Sequence, residues 1–129
     1  YVPEGNKRLH KAAAIEKDLT VLGSEPLVDG NAIVPHLENV AEALGCLYVI
    51  EGSTLGGQVI TRHLEKVLNL EKENALHFFN GYGASTGPMW QQFLGGLEKF
   101  SAENPQLDPD VIVGANRTFE ALNAEMSRN

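Results

Sequence analysis

Apolar residues recur along this chain with a helical period. Leu9, Ala12, Ala13, Ile15, Leu19 and Leu22 follow Pro3-Glu4 at close to 3.6-residue spacing, and Gly23 supplies a stop. Positions 24 to 34 hold the turn formers Ser24, Pro26, Asp29, Gly30 and Asn31 and read as a loop. Pro35, whose missing N–H costs little in a first turn, opens a second helix predicted over positions 35 to 68. Its apolar face runs through Val40, Ala43, Leu44, Leu47 and Ile50, then Val59, Ile60, Leu64, Val67 and Leu68. A short helical segment over 72 to 79 leads to a turn at 80 to 85. Ser85 or Thr86 then caps a fourth helix with Pro88 in its first turn and a stripe of Met89, Trp90, Phe93, Leu94, Leu97 and Phe100. Asp108-Pro109-Asp110 starts the last helix, with Asp108 placed to accept its free amides. Val111, Ile112, Ala115, Phe119, Leu122 and Met126 share one side of it. No stretch alternates as a strand does and no repeat is visible. The pattern predicts one all-α domain over 1 to 129, a multi-helical bundle.

The predicted second helix carries an interruption, Gly52-Ser53-Thr54-Leu55-Gly56-Gly57-Gln58. Each glycine inside a helix costs roughly 1 kcal/mol against alanine. The usual compensation is a kink or something approaching the backbone closely. In an all-helical protein that partner is another helix or a flat ligand, and residue physics alone weighs the two about equally. Ser53 and Thr54 have a third option, bonding back to helix carbonyls.

Charge and composition narrow the alternatives. Lys plus Arg is 10 against 17 Asp plus Glu, a formal net charge of -7. That balance argues against a nucleic-acid surface, which needs clustered cations, though not against a small basic pocket. No run of apolar residues approaches the roughly 20 needed to span a bilayer. The one cysteine, Cys46, sits in an apolar helical stretch, so no internal disulfide forms, and a reducing, cytoplasmic setting with an inert thiol is the simpler expectation. The charged groups Glu16, Lys17, Asp18 and Glu65, Lys66, Glu71, Lys72, Glu73 read as solvated helix faces, and Glu51 also reads as facing solvent.

The segment Leu47-Tyr48-Val49-Ile50-Glu51-Gly52-Ser53-Thr54-Leu55-Gly56-Gly57-Gln58-Val59-Ile60 resembles the distal helix of heme oxygenases, closest to the bacterial, biliverdin-producing branch associated with bacteriophytochromes. Phe78-Phe79 with Tyr82-Gly83, Trp90 with Phe93, and Val111-Ile112, Ala115 and Thr118-Phe119 agree in order, so the resemblance covers most of the chain. It implies a heme oxygenase-like helical bundle whose glycine-interrupted distal helix lies over heme. It implies cleavage of heme to biliverdin, CO and ferrous iron by O₂ and external electrons. Gly52, Ser53 and Gly56 would form the distal oxygen and water site; Tyr48, Gly57, Phe79 and Phe119 would join them around the heme. The implied electron donor is a ferredoxin, a flavodoxin or an NADPH-linked reductase, with a bacteriophytochrome as a downstream partner.

Two positions depart from the family pattern. Animal-type members carry an aspartate where this chain has Ser53, so the distal water network differs; the bacteriophytochrome-associated branch shows a similar Gly-Ser-Thr. The family's proximal histidine belongs to a helix that would precede Tyr1, an unlikely natural first residue, so the chain is expected to be the later part of a longer protein lacking its proximal helix. The basic residues that hold heme propionates in animal enzymes align with Gln91 and Gly95, which leaves Arg62, Lys66, Arg117 or residues outside the segment for that task. His10, His36, His63 and His77 do not form a metal cluster: His36-x-Glu38 and Glu73 with His77 lack the Glu-x-x-His spacing of di-iron bundles. There is no catalytic serine triad, phosphate loop or paired-cysteine motif. The competing functional classes are a non-catalytic heme- or bilin-binding module and a purely structural helical domain.

Overall fold

The computed structural model describes residues 1–8, 10–26 and 30–128, with only the backbone of Glu73. Leu9 in the first apolar stripe, Asp29 in the loop and the side chain of Glu73 beside His77 therefore lie outside what is described. Among the described residues there is helix and no strand, the all-α fold expected. The helices are α1 (Lys11–Val21), α2 (Val40–Leu68), α3 (Lys72–Ala75), α4 (His77–Asn80), α5 (Thr86–Glu103) and α6 (Asp108–Met126).

Helix α2 begins five residues later than Pro35 because Asn39 is a better start. Its side-chain oxygen accepts the Glu42 amide at 2.9 Å, and Glu42 reaches back to accept the Glu38 amide at 2.8 Å. The two bonds satisfy the Glu42 amide of the first turn and the Glu38 amide just before the cap, a variant of the capping box. Arg117 of α6 donates to the same Glu42 carboxylate at 2.8 Å and to the His36 carbonyl at 3.1 Å. Gly23, with φ of +75°, does end α1, in a left-handed conformation that costs glycine little. Neither Ser85 nor Asp108 caps its helix as expected. Ser85 makes no capping bond. Asp108 lies inside the first turn of α6 and accepts from the Ser101 hydroxyl at 2.9 Å instead. The predicted segment 72 to 79 divides into α3 and α4.

Helices α2 and α6 form the main contact of the fold. A Cβ added at Gly45 would overlap the Val111 carbonyl, and one at Gly114 the Glu42 carbonyl, so the two backbones touch where only glycine fits. Ala41, Leu44 and Phe100 make the core beside this crossing, with Val2, Leu97, Leu107 and Val111 packed on it. Contrary to the count of apolar runs in the sequence, α2 is long and apolar enough by composition to cross a membrane. In the fold its apolar residues are divided between the α6 contact and an open groove.

Candidate functional site

The groove has a volume of about 750 Å³, within the range of pockets that enclose small organic ligands. One wall is α2, through Tyr48, Gly52, Ser53 and Leu55; α6 contributes Phe119 and Leu122, and α5 contributes Trp90. Tyr48 packs against Trp90 with ring centroids 5.5 Å apart, and Trp90 stacks on Phe93 at 5.9 Å, so the aromatic floor is anchored to the buried core. Phe119 is 56% exposed although it sits among apolar neighbours; it is a groove residue, not a core residue.

The glycines of the interruption separate by face. A Cβ on Gly52 would stand 3.5 Å from the Trp90 ring, ordinary contact distance, and one on Gly56 would meet nothing within 4 Å. Positions 52 and 56 lie one above the other on a helix, so this is the face with open space. Gly57 points elsewhere. A Cβ there would overlap the Phe79 carbonyl, so Gly57 serves the packing of α4 on α2. Gln58 ties the same junction, donating to the Asn80 carbonyl at 2.6 Å and to the Thr86 hydroxyl at 3.1 Å. Of the seven positions expected around the ligand, Tyr48, Gly52, Ser53 and Phe119 line the groove and Gly56 shares their open face. Gly57 and Phe79 meet each other instead.

Ser53 and Thr54 both bond back into the helix, Ser53 to the Ile50 carbonyl and Thr54 to the Glu51 carbonyl, each at 2.6 Å. The Ser53 hydroxyl proton is thereby used, and what it presents to the groove is acceptor lone pairs.

Directly beneath Gly52 lies a buried ion pair that the sequence did not suggest. Glu51, expected at the surface, is 1% exposed. Its carboxylate accepts from the Arg8 guanidinium at 2.6 Å and from the Tyr82 hydroxyl at 2.8 Å. Arg8 also donates to the Met89 carbonyl at 2.9 Å and the Pro3 carbonyl at 2.8 Å, and lies over the Phe93 ring. Through Arg8 and Tyr82, the segment at the start of the chain, the loop before α5 and α5 itself are all tied to the turn of α2 that carries Gly52. Full pairing of this kind is what lets two charges remain away from water.

Asp18 corrects the expected solvated face in the same way. It is buried, and its two oxygens accept from the His77 amide, the His77 ring and the Phe78 amide at 2.8 to 2.9 Å, fastening α1 to the start of α4. Burial opposes its ionisation, but the two amides and the His77 ring outweigh that and hold the carboxyl below its ordinary range. The ionised form therefore stabilises the fold above the ordinary carboxylate pKa, and that contribution is lost as pH falls through the lowered value. Asp18→Asn is expected to cost about 1–3 kcal/mol at neutral pH. Urea midpoints should show the gap from wild type narrowing as pH falls through the lowered pKa of this carboxyl; a gap constant across pH contradicts this.

Among the described residues no His, Cys, Asp and Glu cluster fit to hold a metal occurs. None of the four histidines lines the groove. Arg62, Lys66 and Arg117 do not reach it either, Arg117 being engaged with Glu42. The cation that does is Lys11, packed over the Phe78 ring at 5.2 Å. Burial lowers its pKa, partly offset by the Glu51 charge. Sequence reasoning missed Lys11 because its place in α1 carries no motif.

Comparison with known proteins follows the same chain. A family model described as heme oxygenase matches residues 3–129. A heme oxygenase of Xanthomonas campestris pv. campestris (strain 8004) is 37% identical over 119 residues, covering 92% of this chain and 68% of that protein. No solved structure matches the chain.

Proposed function

Because the chain belongs to the heme oxygenase family of heme-degrading oxidoreductases, we propose that it opens heme to biliverdin with release of CO and ferrous iron, using O₂ and electrons from an external donor. The observation that carries this reading is the groove itself. It is an apolar slot of about 750 Å³ with bare backbone at Gly52 in one wall and Gly56 one helical turn further along α2. That shape suits a flat macrocycle, and the donor set suits a ligand bound mainly by its faces. Heme, as substrate, supplies its own redox iron and the ring carbon that is oxidised.

The residues of this chain bind, orient and exclude water. Tyr48, Leu55, Trp90, Phe119 and Leu122 remove the ring faces from solvent. Gly52 and Gly56 present backbone without a side chain on that side of α2, Gly52 beside the Trp90 ring and Gly56 in open space, which leaves room for a diatomic molecule at the Gly56 end. Ser53 accepts a hydrogen bond from a water held at that face; with its own proton given to Ile50 it orients that water's hydrogen toward α2. Lys11 offers charge to a heme carboxylate at the groove edge. In this proposal the axial histidine comes from outside these 129 residues. The donor is a ferredoxin, a flavodoxin or an NADPH-linked reductase, the bilin passes to a bacteriophytochrome, and the setting is cytoplasmic.

The test is turnover. Protein reconstituted with hemin and given a reducing system in air is expected to lose the heme absorbance band, gain a bilin band and release one CO per heme. Stable heme binding with no ring opening would instead assign the chain to the binding-module class.

A further inference from the structure

A second cavity of about 250 Å³ adjoins the groove and shares Lys11 and Phe78 with it. Its wall from the start of the chain presents Lys7, His10, Lys11 and Lys17; His77 faces them from α4. Lys11 and Lys17 reach this cavity from α1, and the largely exposed Lys7 reaches it from the turn before that helix. Three of the chain's 10 lysines and arginines are thus gathered at one small cavity, in a molecule that carries 17 acidic residues.

The nearby carboxylates answer that charge only in part, Glu51 acting on Lys11 through space without pairing with it. Among the described residues, no Asp or Glu lines the cavity. Asp18 is saturated by His77 and Phe78, and Glu51 is held by Arg8 and Tyr82. Lys7 pairs with Glu4 at the surface, where such a pair is weak. Among the described residues Lys11 and Lys17 make no ion pair. Like charges placed together at a concave, partly desolvated surface are unfavourable unless an anion joins them. Burial already disfavours the charged form of Lys11. Thr54 belongs to the opposite wall, but its hydroxyl proton is given to the Glu51 carbonyl. The donors free to meet a ligand are therefore mainly cationic.

We propose that this cavity binds a small free anion bearing at least two negative charges, of the phosphate or polycarboxylate class, at a site separate from the groove. Lys11 and Lys17 are its principal charge partners, and Lys11, which also lines the groove, couples the two sites.

Calorimetric titration of the heme-free protein with inorganic pyrophosphate, in a low-chloride buffer at neutral pH, tests this. The expected result is one site per chain with Kd below about 1 mM, weakening as salt is added. Lys17→Gln and Lys11→Gln should each weaken binding roughly tenfold, while Lys66→Gln, which does not line the cavity, should leave it unchanged. Lys17 does not line the groove, so Lys17→Gln should bind hemin as wild type does. Absence of saturable binding, or binding indifferent to Lys17→Gln, overturns the proposal. Complete displacement of pyrophosphate by one equivalent of hemin also overturns it, because the cavity would then belong to a carboxylate of the tetrapyrrole.

Discussion

Glu51→Ala is expected to destabilise the protein by about 3–5 kcal/mol, a large part of what holds a domain of this size together. The reason lies in what remains after the carboxylate is gone. Arg8 keeps its positive charge away from water, with two backbone carbonyls as its remaining hydrogen-bond partners among the described residues. Tyr82 loses the oxygens that accept its hydroxyl. The turn of α2 that carries Gly52 loses its tie to both α5 and the segment around Tyr82, so ligand binding in the groove should weaken along with the fold. Replacing both charges together, Arg8→Met with Glu51→Leu, should recover much of the loss, since an apolar pair of similar volume leaves no orphaned ion. Urea unfolding of the two single variants and the double variant measures the coupling. A Glu51→Ala cost under about 1 kcal/mol, the range of exposed pairs, contradicts the geometry described here.

The second large effect separates two kinds of glycine on the same helix system. Gly114→Val should prevent folding or cost upward of about 4 kcal/mol, because its side chain must occupy the place of the Glu42 carbonyl at the α2–α6 crossing. Gly45→Val should do the same from the other side, against Val111. Gly56→Leu should behave oppositely. Its side chain enters open space and the helix gains propensity, so Tm should stay within about 4 °C of wild type. Hemin affinity, however, should fall by at least about a hundredfold, since the leucine fills the volume that a flat ligand needs. Thermal melts and hemin titrations on the same preparations distinguish the outcomes. If Gly56→Leu unfolds the chain while Gly114→Val does not, the assignment of ligand face and packing face is reversed.

That division also shows where the sequence was informative. Its helical periodicity located every long helix, and α2 only began later than Pro35 because the reciprocal Asn39 and Glu42 bonds outcompete a proline start. The Gly52–Gln58 stretch marked a close approach, but one-dimensional spacing offered two partners for it. In the structure Gly57 meets α4, whereas a Cβ at Gly56 would meet nothing and Gly52 lines the groove. Gly45 and Gly114, where the α2 and α6 backbones meet, drew no attention because each is a single glycine in an ordinary amphipathic run. Glu51 and Asp18 were misplaced for a related reason. A carboxylate in a helix is usually solvated, and what buries these two are Arg8, Tyr82 and the α4 amides, from 31 to 60 residues distant in sequence. Family resemblance assigned Phe119 to the ligand; in the structure it is exposed and lines the groove.

The most direct measurement is a titration of the protein with hemin, followed by absorbance and by quenching of Trp90, whose ring lines the groove and which is the chain's one tryptophan. The account predicts saturation at one hemin per chain, quenching of Trp90 in step with the absorbance change, and loss of both signals in Gly56→Leu while its melting temperature is kept. Hemin bound with equal affinity by wild type and Gly56→Leu, or bound without any change at Trp90, would place the ligand elsewhere and contradict the assignment of this groove.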